Sequence, residues 1–146
     1  MVKLILCSLL FLSVVQAQNT DCKNDWPNLA RYDKDNQAVA PPAKNEQRVV
    51  FMGDSITQLW GLAAPQDFGP ARVNRGISGQ TTPQMLLRFK QDVLALKPKA
   101  VHILAGINDI GARPTPTAEA LIAGYRQVIA RAHAHGLKVI LGTVVP

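Results

Sequence analysis

The stretch Val-Val-Phe-Met-Gly-Asp-Ser-Ile-Thr, residues 49–57, decides the fold of this chain. Its first four residues are apolar and a glycine follows them, which is typical of a short buried β-strand that ends in a turn. Ser55 stands just beyond that turn. Open α/β sheets bind their ligands outside the carboxyl ends of the parallel strands, so Ser55 is a candidate nucleophile.

Strands and helices alternate from this stretch onward. Apolar residues at three- and four-residue spacing indicate the helices, and threonine–proline pairs are favoured at helix starts. We predict helices that open at Thr82-Pro83 and at Thr115-Pro116, with Gly136 ending the second. Further strands are predicted at residues 72–74, 100–105 and 137–141. Strands joined by helical crossovers form a parallel sheet in a three-layer α/β arrangement.

The second predicted helix carries a long apolar stripe. Its members recur at helical spacing and are Ala118, Leu121, Ile122, Tyr125, Val128, Ile129 and Ala132. This spacing is typical of an amphipathic helix.

The first 17 residues have the layout of a secretory signal peptide. Lys3 is followed by an apolar run, and Val15 and Ala17 stand at the positions that a signal peptidase inspects. The run is shorter than the roughly 18 apolar residues of a membrane-spanning helix. We therefore predict a secreted or periplasmic protein that has no membrane span after cleavage. Residues 18–47 are polar and turn-rich, and we predict that this lead-in packs through Trp26 and Leu29 against the domain.

Composition excludes two classes of protein. The net charge is +6, but the basic residues are scattered, without a run of five or six and without interleaved aromatic residues. That pattern argues against a nucleic-acid-binding surface. Cys22 is the single cysteine outside the predicted signal peptide, so the fold is not a disulfide scaffold. No feature of the sequence indicates an oligomeric state.

Two later segments stand at strand ends as Ser55 does. One is Asn-Arg-Gly-Ile-Ser-Gly-Gln-Thr, residues 74–81, and the other is Gly-Ile-Asn-Asp, residues 106–109. Together with residues 53–57 they resemble the first three sequence blocks of the GDSL, or SGNH, family of serine esterases and lipases. The resemblance implies a partial hydrolase domain over residues 48–146, with a three-layer α/β/α, flavodoxin-like parallel sheet that is C-terminally truncated. It also implies an enzyme without metal or cofactor.

The resemblance further assigns three donors to the oxyanion of the reaction. They are the backbone N–H of Ser55, the backbone N–H of Gly79 and the side-chain amide of Asn108. Gly76 is the rival for the glycine role, and the match Ser-Gly-x-Thr at residues 78–81 favours Gly79. Glycine lets the backbone approach a substrate oxygen closely, and a neutral amide donates a hydrogen bond to it.

Each of these residues also has an ordinary structural explanation when it is taken alone. Ser55 and Asn108 could cap helices, and both glycines could serve turns. The occurrence of all three blocks in the family's order, each at the end of a predicted strand, favours the functional interpretation. Asp54 and Asp109 are expected to fix loops by hydrogen bonding, without a role in proton transfer.

The fourth block of the family, Asp-x-x-His with the catalytic histidine, does not occur in this sequence. His102 falls in the middle of a predicted strand, about 13 Å from the active edge at 3.3 Å per residue. His133 and His135 fall at the carboxyl end of a crossover helix, which leads to the opposite edge of the sheet. We therefore expect that none of the three serves Ser55.

These observations predict an exported carboxylic-ester hydrolase that forms an acyl-serine intermediate on short acyl esters of small molecules or carbohydrates. The 146-residue chain is expected to be an inactive fragment by itself, and to expose an apolar sheet edge. The alternative is a non-catalytic ligand-binding module that retains the oxyanion pocket. A nucleotide-binding protein is a weaker alternative, because the sequence has neither a G-x-x-x-x-G-K-[ST] loop nor a G-x-G-x-x-G turn.

Overall fold

A computed structural model describes residues 25–111 and 117–143 of the chain. These residues form a four-stranded parallel sheet in the order β2-β1-β3-β4. The strands are β1 (Val49–Gly53), β2 (Arg72–Gly76), β3 (Ala100–Leu104) and β4 (Lys138–Leu141). This is the flavodoxin-like order. The chain adds β2 on one side of β1 and then crosses over to add β3 and β4 on the other side. The predicted fold class is therefore confirmed.

Helices cover both faces of the sheet. They are α1 (Asp33–Ala38), α2 (Ser55–Ala63), α3 (Thr82–Asp92), α4 (Ile107–Gly111) and α5 (Ala118–Ala134). Alternate residues of a strand point to opposite faces. Val50 and Met52 belong to the buried core together with residues of α3 and α5, whereas the ring of Phe51 packs edge-on against Trp60 of α2 at 5.4 Å. The sheet thus separates α2 from the α3–α5 layer.

Helix α3 begins one residue earlier than the sequence predicts. Thr81 caps it, with its backbone N–H donating to Oε1 of Gln84 at 2.9 Å, as in a capping box. Thr82 does not cap the helix. Its N–H and its hydroxyl both donate to the carboxylate of Asp109. The predicted start at Thr82 was wrong because the distant carboxylate, rather than the helix terminus, takes this hydroxyl.

Helix α5 begins at a threonine that the sequence analysis did not single out. The hydroxyl oxygen of Thr117 accepts a hydrogen bond from the N–H of Ala120 at 3.2 Å. The predicted start at Thr115-Pro116 lies outside the described residues. At the other end, Gly136 adopts a φ of +70° and follows the C-cap, so its predicted role is confirmed.

The lead-in contacts the domain differently from the prediction. The side chains of Trp26 and Leu29 are 59% and 38% exposed, so the predicted packing through these two residues was wrong. Tyr32 is buried instead, and its hydroxyl donates to the carbonyl of Gly76 at the end of β2. The predicted signal peptide and Cys22 lie outside the described residues. Within residues 25–111 and 117–143, no helix is long and apolar enough to cross a membrane.

Candidate active site

Ser55 is the first residue of α2 and is partly buried. The cap of this helix is Asp54, whose Oδ1 accepts a hydrogen bond from the N–H of Ile56 at 2.9 Å. The alternative that Ser55 serves as the helix cap was therefore wrong, and the hydroxyl is not needed to satisfy the helix terminus. Because Ser55 is the first residue of the helix, its backbone N–H is one of the unpaired donors of the first turn. It lies at the positive end of the helix dipole.

Gly76 and Gly79 differ in what surrounds them. A Cβ at Gly76 would lie 2.3 Å from the backbone nitrogen of Gln58, so glycine is required there for α2 to pack against the sheet. The N–H of Gly76 also already donates to Oδ1 of Asn74 at 2.9 Å. Gly79 is exposed, has a φ of +77° and has open space around it. Its N–H donates to no residue in the described ranges, so the geometry favours Gly79 as the oxyanion donor.

Asn108 lies in α4, just beyond the end of β3. Its Nδ2 donates one hydrogen bond to the backbone carbonyl of Gln80 at 3.0 Å, which leaves the second hydrogen of the amide for another acceptor. The neighbouring Asp109 is buried and accepts hydrogen bonds from the N–H and the hydroxyl of Thr82 at 3.0 and 2.6 Å. The predicted loop-fixing role of Asp109 is confirmed by these contacts.

Hydrogen bonds hold the loop that carries Gly79, residues 77–80, between the other two segments. On one side the N–H of Ile77 donates to the carbonyl of Gly53 at 3.0 Å, and the N–H of Ser78 donates to Oε1 of Gln58 in α2 at 2.7 Å. On the other side the loop accepts the amide of Asn108. The three candidate residues therefore stand beyond the ends of three adjacent strands, β2, β1 and β3, whose spacing is about 4.8 Å.

Asp54 is a buried acid directly beside Ser55. Its side chain is fully buried, and Oδ2 has no hydrogen-bond partner among the described residues. Burial raises the pKa of the Asp54 carboxyl above its ordinary range, and the nearby charge of Asp109 adds to the effect. The predicted loop-fixing role of Asp54 is confirmed by its cap of α2.

Arg88 lies beneath the site and was missed by the sequence analysis. Its guanidinium is fully buried, forms a 3.0 Å ion pair with Asp92, and donates to the carbonyl of Gly53 at 3.2 Å. Nε donates to the side chain of Gln80. Burial lowers the pKa of Arg88, and the charge of Asp92 opposes this shift. The available signal was the i,i+4 spacing of Arg88 and Asp92, which makes two opposite charges neighbours on one helix.

The three histidines lie away from Ser55 among the described residues. His102 is in β3, paired with Phe51 in the strand register and 5.2 Å from its ring. Burial lowers its pKa, and its Nδ1 has no partner among the described residues. His133 and His135 lie at the carboxyl end of α5, which leads to the start of β4 and so to the opposite edge. In the same ranges, no group of three His, Cys, Asp or Glu side chains is placed to hold a metal ion.

Comparisons with known proteins give independent information on this arrangement. The sequence is 33% identical to an acetylxylan esterase of Geobacillus stearothermophilus, in a match that covers 44% of this chain and 40% of that protein. It is 37% identical to the uncharacterized lipoprotein YqeF of Bacillus subtilis over 51% of this chain and 32% of that protein. The crystal structure of a GDSL-like lipase from Bacteroides thetaiotaomicron superposes with a TM-score of 0.77 at 41% identity, over 82% of this chain and 60% of that one.

The chain thus spans less than half the length of the two curated relatives and 60% of the solved structure. Residues 51–146, about two thirds of the chain, match the sequence model of one family. That range contains all three blocks that converge on the carboxyl edge of the sheet. The chain therefore belongs to the GDSL-like lipase/acylhydrolase, or SGNH, family of hydrolases.

Proposed function

We propose that this chain supplies the nucleophile and the oxyanion site of an exported carboxylic-ester hydrolase. One observation carries the proposal. Asp54 caps α2, so the Ser55 hydroxyl is not needed for capping, and it lies at the same sheet edge as the N–H of Gly79 and the second amide hydrogen of Asn108. Membership of the serine hydrolase family supports the same reaction class.

The proposed reaction begins with attack of Ser55 Oγ on the ester carbonyl carbon. The carbonyl oxygen becomes an oxyanion, which accepts hydrogen bonds from the N–H of Ser55, the N–H of Gly79 and Nδ2 of Asn108. The Oγ proton passes to a base and then to the departing alkoxide, which leaves as the alcohol. Water hydrolyses the resulting acyl-serine by the same steps.

The proposal requires a base from outside the described residues, because the histidines among them lie in β3 and at the carboxyl end of α5. We therefore expect the 146-residue chain by itself to be nearly inactive. This same observation favours the alternative, a non-catalytic module that binds ligands in the oxyanion pocket. The two are separated by an assay of the gene product that contains this sequence, which hydrolyses esters only if it provides a base.

The proposed substrates are short acyl esters of small molecules or carbohydrates. Similarity to an acetylxylan esterase supports an acetyl group on a sugar as the first candidate. We further propose that the protein is secreted or periplasmic. The apolar run near the amino terminus supports export, and a relative described as a lipoprotein is consistent with it.

The test compares two serine variants of the gene product that contains this sequence. Ser55→Ala should abolish hydrolysis of p-nitrophenyl acetate, whereas Ser78→Ala should retain it. Ser78 is the matched control because it lies on the same edge, and its hydroxyl contacts only Gln58 among the described residues. Hydrolysis retained by Ser55→Ala would exclude this nucleophile. A parent protein that binds phenylboronic acid but releases no nitrophenol would favour the binding module.

A further inference from the structure

Residues 25–38, which we call the docking segment, lie upstream of the range matched to the family. The segment contacts the domain through three of its main-chain carbonyls and through the side chains of Tyr32 and Asn36. Three glutamine side chains donate to these carbonyls: Gln84 to Trp26, Gln80 to Pro27 and Gln91 to Leu29. One of these glutamines, Gln80, is part of the loop that carries Gly79.

Gln80 is buried, with only 2% of its surface exposed. Its hydrogen bonds connect the docking segment with the proposed oxyanion donors. Its side-chain Nε2 donates to Pro27 at 2.7 Å, and its Oε1 accepts from Nε of Arg88. Its backbone carbonyl accepts the amide of Asn108 at 3.0 Å. One residue therefore joins the docking segment to both proposed oxyanion donors, Asn108 directly and Gly79 through the peptide bond between them.

A second connection reaches the other end of the same loop. The buried Tyr32 donates from its hydroxyl to the carbonyl of Gly76, the last residue of β2. The Tyr32 ring lies between two guanidinium groups, 4.8 Å from that of Arg31 and 4.7 Å from that of Arg75. Tyr32 bonds to Gly76, three residues before Gly79, and Pro27 bonds to Gln80, one residue after it. The segment therefore restrains the loop from both sides.

The loop needs such a restraint. Ser78 and Gly79 are exposed, and glycine at a positive φ has many accessible conformations in a loop without support. A hydrogen-bond donor to an oxyanion must be held close to its productive position, and a misplacement of about 1 Å can reduce the rate by about 100-fold. We propose that Gln80 is a positioning residue, through which the docking segment holds the Gly79 amide and the Asn108 amide in place for the oxyanion. This inference rests on the proposed function.

The test uses Gln80→Met and Gln91→Met in the gene product that contains this sequence. Each variant loses one hydrogen bond to the docking segment, but only Gln80 belongs to the Gly79 loop. Gln80→Met also removes the acceptor of Arg88 Nε, which Gln80→Glu retains. For Gln80→Met we expect kcat on p-nitrophenyl acetate to fall by about 10- to 100-fold while KM changes by less than about threefold. The inhibition constant of phenylboronic acid should rise in proportion to the fall in kcat/KM, because the boronate imitates the tetrahedral oxyanion. Gln91→Met should leave kcat within about twofold of the parent.

Two outcomes would overturn the inference: a kcat of Gln80→Met equal to that of Gln91→Met, or a fall in kcat with unchanged boronate affinity. If Gln80→Met does not fold, Gln80→Glu replaces it, since a carboxylate keeps the bond to Arg88 and loses only the donor to Pro27. A Gln80→Glu variant with full kcat would equally overturn the inference. Failure of the proposed function is detected separately, by hydrolysis that survives Ser55→Ala.

Discussion

The two edge strands of the sheet have very different surroundings. At the β2 edge, Val73 is only 6% exposed, and Nε of Arg75 donates to Oδ1 of Asn36 in α1 at 2.7 Å. At the β4 edge, Ile140 and Leu141 are each 49% exposed, and β4 pairs only with β3 among the described residues. One edge is covered by the docking segment, whereas the other is bare.

The two large helices show the same contrast. Helix α3 buries five of its 11 residues, including the charged pair Arg88 and Asp92. Helix α5 is longer, with 17 residues, yet it buries only Val128 and Ala132. Four further members of its apolar stripe border an open apolar groove of about 790 Å³, formed with α4 and the end of β4: Leu121, Ile122, Tyr125 and Ile129. The groove is therefore a surface that lacks a partner in the described part of the chain.

The contrast also separates the candidate site residues from the bare strand. Ser55, Gly79 and Asn108 follow β1, β2 and β3, where hydrogen bonds hold every segment, and none of them follows the bare strand β4. The chain spans 60% of the Bacteroides thetaiotaomicron structure. The proposed ester hydrolysis therefore requires a base from outside the described ranges, whereas its proposed oxyanion donors lie within them.

The largest effect is expected at the covered edge, from Arg88→Met. Removal of the guanidinium leaves Asp92 as a buried charge without its cation, and such a change typically costs about 3 to 5 kcal/mol in the free energy of unfolding. Urea unfolding followed by circular dichroism measures it. The matched control is Arg126→Met on the exposed surface of α5, which should change stability by less than about 0.5 kcal/mol.

A double variant separates loss of the ion pair from loss of packing. Arg88→Met combined with Asp92→Leu removes both charges and keeps an apolar volume in their place, so most of the lost stability should return. If Arg88→Met cost no more than Arg126→Met, the β2 side of the molecule would not depend on its buried network.

The sequence contained enough information for the sheet and the three blocks, because strand runs and their terminal glycines are local patterns. It did not contain the role of Gln80 or Arg88. Both look like ordinary polar residues of a helix start or face, and their partners, Pro27 and Gly53, are main-chain carbonyls 53 and 35 residues away. Carbonyl groups are the same in every residue, so no side-chain pattern marks which of them will accept a bond.

The error at Trp26 and the exposed stripe of α5 have a related cause. A large apolar residue is expected inside, but Trp26 contributes its carbonyl to Gln84 and leaves its ring exposed. The α5 stripe has the spacing of an amphipathic helix, yet Ile122 is 51% exposed. Periodicity indicates which side of a helix is apolar, but burial also requires a neighbouring element to pack against it.

The next prediction compares two positions of α5 and two lengths of the protein. In the 146-residue chain, Val128→Ala should cost about 2 kcal/mol in the free energy of unfolding, because it opens space in the core. Ile122→Ala should cost less than about 0.5 kcal/mol there, because the side chain is half exposed. In the full gene product that contains this sequence, the cost of Ile122→Ala should rise above about 2 kcal/mol, as for a buried isoleucine. Equal costs of Ile122→Ala in both lengths would show that the groove stays open.

A smaller effect is expected on self-association of the 146-residue chain. Ile140→Lys places a charge on the bare edge strand, and charged edge residues oppose strand-to-strand association. Light scattering after size-exclusion chromatography should show a larger monomer fraction than for the parent. The control is Leu87→Lys, at an exposed leucine of α3, which should leave the monomer fraction unchanged. An equal gain from both lysines would attribute the effect to net charge rather than to the edge.

The smallest effect concerns the pH dependence of stability at His102, which lies in β3 between the two edges. Burial lowers its pKa from the ordinary value of 6.5, so the unfolded chain takes up a proton at a higher pH than the folded chain does. Stability should therefore fall as the pH drops through 6.5 towards the folded pKa.

The variant His102→Phe tests this effect. It retains a ring beside Phe51, and it loses no hydrogen bond at Nδ1, because Nδ1 of His102 bonds to no described residue. Urea unfolding between about pH 5 and pH 7.5 should show the parent losing stability relative to this variant as the pH falls. The raised pKa of Asp54 gives a slope of the opposite sign, but it is common to both proteins and cancels in their difference. A parental slope in His102→Phe would contradict the prediction, because the slope would then not arise from His102.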